Sequence, residues 1–373
     1  MVTIKEIARE AGVSFTTVSN VIHGNNCRVS PETAERVREI MRKTGYIPNM
    51  GARALVSNAT KLIAFAYQSY RSLDGINSLQ DPFISELVGG LERKIHEEGY
   101  DMILSVLDTF ENMNDAARRW NVDGMIVFGA SSAQCRDLLK DMKKPVAFID
   151  CHVPKDAEGN YVNVTIDDRR AGKEMTEYLL ARGHRRIGFV CGVSWEVDGP
   201  AQLRWQGYQD AMQQWGVEVS EKWSVSVGTS DETIQAGFAE IYERISCFSA
   251  LFVPGDKLAA ELVNYLTDRG VKIPEQISIA SFDDNFYARI VRPRLTTMHQ
   301  SAARKSEEAG EQLISMIQGK KLKEREIYLP LQLIVRESAA IFGKTAKIVI
   351  YVQKETHCFV KIHSLTQNLL TCE

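Results

Sequence analysis

From about residue 61 the chain alternates short apolar runs with amphipathic stretches of helical length, and few architectures accept that alternation. The runs are LIAFAY (62–67), YDMILSV (100–106), DGMIVFG (123–129), PVAFID (145–150), HRRIGFVCG (184–192), ALFVPGD (250–256) and ISIASFDD (277–284). Stretches such as PFISELVGGLERKIHEEG and RAGKEMTEYLLARG fill the gaps. Strands that are apolar on both faces need cover on both sides, so this order predicts parallel, doubly wound sheets. Seven such runs suggest two α/β subdomains with a cleft between them. Ligands of such sheets sit beyond the carboxyl ends of the strands. Asp150, Asp256, Asp283 and Asp284 all fall at such ends.

The first 47 residues have a different texture. Ile4, Ile7, Ala8 and Ala11 recur at helical spacing, and Thr3 with Glu6 reads as a capping box. Gly12 stops that helix, because glycine takes the positive φ of a C-terminal turn. A second helix follows from Val13 and Ser14, with Val18, Val21 and Ile22 facing inward. Ser30 and Pro31 start a third, as an N-cap and a proline in the first turn. Short helices about a glycine turn make a helix-turn-helix pattern. The outward residues of the second helix, Phe15, Thr16, Thr17, Ser19 and Asn20, include no acid. They suit a surface that reads base edges, where an amide pairs with adenine and a methyl meets thymine. A small helical cap that reads nothing is the plainer alternative.

Charge distribution favours the first reading. The whole chain carries −3, but residues 1–60 hold eight Lys/Arg against five acids, so the head is +3 and the rest −6. A basic head on an acidic body is expected when only the head meets phosphate. The opening MVTIKEIARE has charges and no apolar core, which argues against a signal peptide. No run approaches a membrane span. Seven cysteines without a C-x-x-C pair fit a reducing cytosol. Cys151 and His152 are adjacent, so on a strand they point apart, and no metal site is expected there. Between head and body lies YIPNMGARALVSNATK, where Asn49 can cap a two-turn helix through Leu55. Such a helix, with Gly51 in it, is marginal in isolation.

These residues closely resemble the LacI/GalR bacterial repressors. The resemblance rests on VTIKEIAREAGVSFTTVSNVIHG, VSPETAERVREIMRKTGYIPN and ARAL in the first 60 residues. It continues through DPFISELVGGLE, DGMIVFG, GHRRIGFVCG, RWQGYQDAM, SFDDNFYARIVRPRLTTMHQ and LIVRES, covering residues 2 to about 341. It implies a homodimer with helix-turn-helix heads and a body folded like a periplasmic sugar-binding protein. It also implies a small-molecule effector, a sugar or sugar derivative, that changes affinity for a pseudo-palindromic operator. The divisions expected are a head at 1–47, a hinge helix and linker at 48–60, a body at 61–341 and a tail outside the family at 342–373. Within the body, the first subdomain is expected at about 61–161 plus 292–324 and the second at about 162–291 plus 325–341.

Carried over by motif, Phe15, Thr16 and Asn20 are the base-reading positions, and Leu55 matches a leucine that wedges into the operator's central step. The full DNA-facing set expected is Thr3, Ser14, Phe15, Thr16, Thr17, Ser19, Asn20, His23, Asn49, Ala52 and Leu55. The effector set is Gln68, Phe83, Phe128, Asp150, Arg204, Trp223, Gly255 and Asp283, with Arg204 and Asp283 expected to face each other across the cleft. Three departures matter. Many members carry arginine or histidine where this chain has Asn20. The lactose-responsive member has asparagine at two positions that here read Phe128 and Gly255. Residues 343–373 lack a leucine-heptad repeat; AKIVIYV with CFVKIH reads as a hairpin, with a disordered tail as the alternative.

Two other functions compete. A periplasmic binding protein would need only the body and would lack the head. An enzyme could use Asp283 and Asp284, but consecutive acids at a strand end point to opposite sides. No P-loop, G-x-S-x-G or metal spacing occurs, and no cofactor is expected. The effector pocket offers two acids and an arginine, which suits a polyhydroxyl ligand. A nucleobase or amino-acid derivative is the alternative.

Overall fold

The computed structural model describes residues 2–22, 28–46, 59–68, 78–107, 119–192, 198–220 and 223–342. They belong to two compact units that divide between Lys61 and Leu62. Asn49, Ala52, Leu55, His23 and the expected hairpin of the tail lie outside the described residues.

The first unit holds α1 (Ile4–Glu10), α2 (Phe15–Ile22) and α3 (Pro31–Thr44). The Thr3–Glu6 capping box is formed in both directions, so two backbone donors of α1 are satisfied locally. Gly12 adopts φ +64° and lets the chain reverse into α2. Ser30 caps α3 through the Thr33 N–H, with Pro31 in its first turn, and Gly45 at φ +64° ends it. Ile7, Ala8, Ala11, Val18, Val21, Ala34, Val37 and Ile40 close a core of their own, with Ile4 and Ile22 against it. The head therefore folds around side chains it supplies itself.

The second unit contains, in order, β1 (Leu62–Gln68), α4 (Pro82–Glu97), β2 (Asp101–Leu107), β3 (Gly124–Phe128), α5 (Ser132–Asp141), β4 (Val146–Ile149) and β5 (Tyr161–Thr165). The chain continues through α6 (Asp168–Ala181), β6 (Ile187–Cys191), α7 (Pro200–Gln214), β7 (Ser224–Ser226), α8 (Asp231–Glu243), β8 (Ala250–Phe252), α9 (Asp256–Thr267) and β9 (Ser278–Asp283). It ends with α10 (Phe286–Ile290), β10 (Thr296–His299), α11 (Ala302–Ile317), β11 (Glu326–Tyr328) and β12 (Gln332–Ile334). Two sheets result, ordered β11-β5-β4-β3-β1-β2 and β12-β10-β9-β8-β6-β7. All ladders are parallel except β10 with β12. Each of the seven apolar runs became a strand, buried on both faces in β4, β6 and β8.

Among the described residues the chain passes between the sheets three times, after Thr165, after His299 and after Tyr328. The crossings expected at 161/162, 291/292 and 324/325 are displaced, because three strands are not apolar runs. In β5 the buried Asn163 interrupts the pattern; its amide donates to the Cys151 carbonyl at 3.0 Å and to Glu326 at 2.9 Å. In β10 the buried Thr296 and Thr297 bond the Arg336 carbonyl and Asp256. Polar residues with internal partners can line a buried strand, and a hydropathy pattern passes over them.

Helices α6 and α7 meet backbone to backbone. A Cβ on Gly172 would lie 2.3 Å from the Arg204 carbonyl oxygen, and one on Gly207 would lie 2.0 Å from that of Arg169. Only glycine fits at either position. This crossing fixes α7, and with it the height at which Arg204 enters the cleft. Gly207→Ala is expected to lower the stability of the body by about 1–3 kcal/mol through overpacking. Urea melts of the full chain check this, and an unchanged midpoint would show that the helices separate freely.

Candidate functional site

On the head, α2 has no acidic residue in its first turn and no basic residue in its last. Phe15 and Thr16 are exposed, Phe15 at 52%, while Ser19 and Asn20 are half-exposed on the same side. Val18 and Val21 are buried opposite them, as a period of 3.6 requires. The Ser14 hydroxyl accepts from the Thr17 N–H at 3.1 Å and lies 2.9 Å from the Thr17 hydroxyl. Thr3 is held by Glu6. Thr3, Ser14 and Thr17 thus form helix starts, and Phe15, Thr16, Ser19 and Asn20 form an open polar-aromatic face.

On the body, the expected effector residues gather at the carboxyl ends of the strands. Gln68 and Phe128 end β1 and β3, Asp150 follows β4, and Asp283 ends β9. Asp150, Asp283 and Asp284 have φ of 50°, 109° and 58°. A non-glycine residue in that region is held there by its surroundings. The partners are plain. Lys305, fully buried near the start of α11, places its ammonium 2.6 and 2.5 Å from the two Asp150 oxygens and 2.5 Å from the Gln300 amide oxygen. The Gln300 amide nitrogen donates to Asp283 at 2.6 Å. Thr165, at the end of β5, donates to Asp150 at 3.3 Å. A continuous polar chain Asp150–Lys305–Gln300–Asp283 therefore runs from the end of one sheet to the end of the other.

Arg204 takes a different partner from the one expected. Its Nε donates to Asp168 at 2.7 Å, and its Nη1 to the Pro254 carbonyl at 3.0 Å. The guanidinium carbon lies 3.6 Å from the centre of the Phe282 ring. Arg204 and Asp283 both sit on the second subdomain, as electrostatic neighbours rather than opposite walls. The reason is Asp168 at the start of α6: an acid 2% exposed has to be paired. Burial pushes the Asp168 carboxyl up, against the pull of Arg204. Burial, and then Asp256, raise Asp283 well above the ordinary carboxylate range, with Arg204 opposing.

The remaining expected residues are less central. Phe83 and Phe128 form a tilted pair with ring centres 6.0 Å apart, and Lys305 lies 5.4 Å from the Phe83 ring. Gly255 precedes α9 without a side-chain cap. Trp223, beside edge strand β7, packs against two apolar clusters. Asp284 takes other neighbours than Asp283 does, pairing with Arg336 at 2.5 Å and lying 3.2 Å from the His299 ring nitrogen. Sequence reasoning missed Lys305, Gln300 and Asp168; a lysine among the apolar positions of α11 was the one available signal. It also missed a second bridge between the subdomains, in which Asp198 bonds the His152 ring and accepts the Ser132 N–H at 2.7 Å.

A three-helix head with an uncharged exposed face on its second helix and a two-sheet body with polar strand ends define a DNA-binding regulator with a periplasmic-binding-protein-like body. Residues 3–49 match the family described as bacterial regulatory proteins, lacI family, and residues 176–339 match the periplasmic binding protein-like domain. The HTH-type transcriptional repressor PurR of Vibrio cholerae is 30% identical over 357 residues, which is 92% of this chain and all of that protein. The HTH-type transcriptional regulator DegA of Bacillus subtilis is 29% identical over 352 residues, 91% of this chain and 98% of that one. The lac repressor dimer bound to operator and the anti-inducer ONPF shares the fold, with a TM-score of 0.77 at 22% identity over 91% of this chain and 99% of that one. The chain belongs to the lacI family of bacterial regulatory proteins. Members of this family are DNA-binding transcription regulators rather than enzymes. Among the described residues, no helix is long and apolar enough to cross a membrane.

The Arg204–Asp168 pair makes a stability prediction. Arg204→Leu is expected to cost about 3–5 kcal/mol, because it strands a buried carboxylate. Adding Asp168→Asn should recover part of the loss. Urea melts of the two variants check it, and a double variant less stable than Arg204→Leu would contradict the pairing.

Proposed function

We propose that the chain is an effector-responsive repressor that acts in the cytoplasm on carbohydrate-utilisation genes. As a homodimer it binds a pseudo-palindromic operator, and a polyhydroxyl small molecule in the body cleft sets the affinity. The observation that carries this reading is the buried polar chain from Asp150 through Lys305 and Gln300 to Asp283. At Asp283 it ends in a carboxyl with hydrogen-bonding capacity left for a ligand hydroxyl, and it spans both subdomains. A ligand that bonds it can therefore favour one relative arrangement of the two over another, which is what a response requires. On the head, Phe15, Thr16 and Asn20 serve as base readers in the major groove. Leu55 serves as an apolar wedge in the minor groove. The operator named for the lac repressor structure supports DNA as the partner.

Two measurements test the reading. Selection of DNA by the full chain should return a near-palindrome with half-site centres about one helical turn apart. Asn20→Ala should relax one base pair at a loss of roughly 1–3 kcal/mol. A single asymmetric site would remove the dimer.

The cleft is tested with a thermal-shift screen of sugars and related polyols. A ligand at a hundred times its dissociation constant adds ~2.7 kcal/mol of stability. The selected compound should change operator affinity in the wild type, and Asp283→Asn should fold, bind operator and no longer respond. If Asp283→Asn keeps the wild-type response, the effector role of the cleft is wrong.

A further inference from the structure

Among the described residues, Lys305 is the one fully buried cation of the cleft floor that neither the family motifs nor the expected effector set includes. An ammonium has three N–H donors and no acceptor. Here the donors meet both oxygens of Asp150 and the Gln300 carbonyl oxygen, at 2.6, 2.5 and 2.5 Å. Nothing remains for a ligand. The second cation, Arg204, is matched in charge by Asp168 at 2.7 Å and directs a further donor to the Pro254 carbonyl. The floor therefore holds three acids, Asp150, Asp168 and Asp283, against two cations that each already face an acid. Asp81 and Asp256 add negative field at Asp283.

We propose that Lys305 determines the charge class of the effector by holding Asp150 in an internal ion pair, so that the cleft takes uncharged or amine-bearing polyhydroxyl compounds and rejects carboxylates and phosphates. This rests on the cleft being the effector site. An anion entering the floor would add charge where no cation is unmatched, and desolvation would go uncompensated. A hydroxyl compound adds none and bonds through Asp283 and the outer N–H groups of Arg204. The same geometry makes Lys305 a latent anion site. Removing the Asp150 charge alone frees a buried ammonium whose natural counter-ion would then be an external anion.

The test needs no knowledge of the natural effector. Inorganic phosphate and D-glucuronate are titrated at fixed ionic strength into the full chain, with thermal shift and calorimetry as readouts. Wild type should show no cleft response. Asp150→Asn should bind at least about tenfold more tightly than wild type. Asp150→Asn with Lys305→Met should fall back to the wild-type level, and this double variant also subtracts any phosphate bound by the basic head. The proposal is overturned if Asp150→Asn gains no anion response. It is equally overturned if wild type responds and Lys305→Met abolishes that response. Should Asp150→Asn fail to fold, the comparison of wild type with Lys305→Met decides alone: no response in either supports the proposal, and a response lost with the lysine contradicts it. The two levels of the account fail separately. A retained ligand response in Asp283→Asn removes the effector site, whereas the anion series can fail with that site intact.

Discussion

The need to pair charge out of water governs the body of this protein. Parallel sheets place their carboxyl ends together, and this chain puts acids there: Asp150, Asp256, Asp283 and Asp284. Each has found a different solution. Asp150 has a buried lysine, Asp284 an arginine, and Asp256 the hydroxyls of Ser281 and Thr297 with the Asn285 N–H. Burial leaves Asp256 with its pKa raised to about 7 even so. Asp283 has only an amide donor among the bonds of the described residues, and burial raises it well above the ordinary carboxylate range. Asp283 is the incomplete member of the set, with capacity left for a further hydrogen bond. An acid with all its valences met would gain little from one.

The same constraint explains why the crossings between subdomains carry polar residues. Thr165, Gln300 and Asp168 lie at or beside the points where the chain leaves one sheet for the other. Their side chains bond the cleft acids or their partners. The bonds that join the two subdomains are Lys305 to Gln300 and Asp198 to Ser132 and His152, so a shift of one subdomain against the other must rearrange them, and a ligand that replaces some of them biases the shift. The glycine contacts between α6 and α7 act in the opposite sense, holding Arg204 rigidly on its own subdomain. Rigid elements joined by a few replaceable polar bonds are what a two-state response needs.

Much of this was legible in the sequence. The apolar runs gave seven strands in the right places, and the capping residues Thr3 and Ser30 with Gly12 set the head. Strand-end acids pointed to the cleft. The misplaced crossings came from β5 and β10, whose buried Asn163, Thr296 and Thr297 conceal strands that hydropathy cannot see. Lys305 was missed for a related reason: on a helix a lysine reads as a solvated position unless its partner is known. That partner stands 155 positions earlier in the chain. Arg204 was expected to face Asp283 across the cleft, and the nearer acid at the start of α6 became visible only in three dimensions.

A double-mutant cycle on Asp150 and Lys305, read by urea denaturation of the full chain, tests the central claim most directly. If the pair is the buried link described, each single variant, Asp150→Asn or Lys305→Met, strands a charge and loses about 3–5 kcal/mol. The double variant should then lose much less than their sum, with a coupling of roughly 2–3 kcal/mol. Additive losses, with coupling near zero, would mean that the two side chains do not depend on each other and that the cleft floor is arranged in some other way.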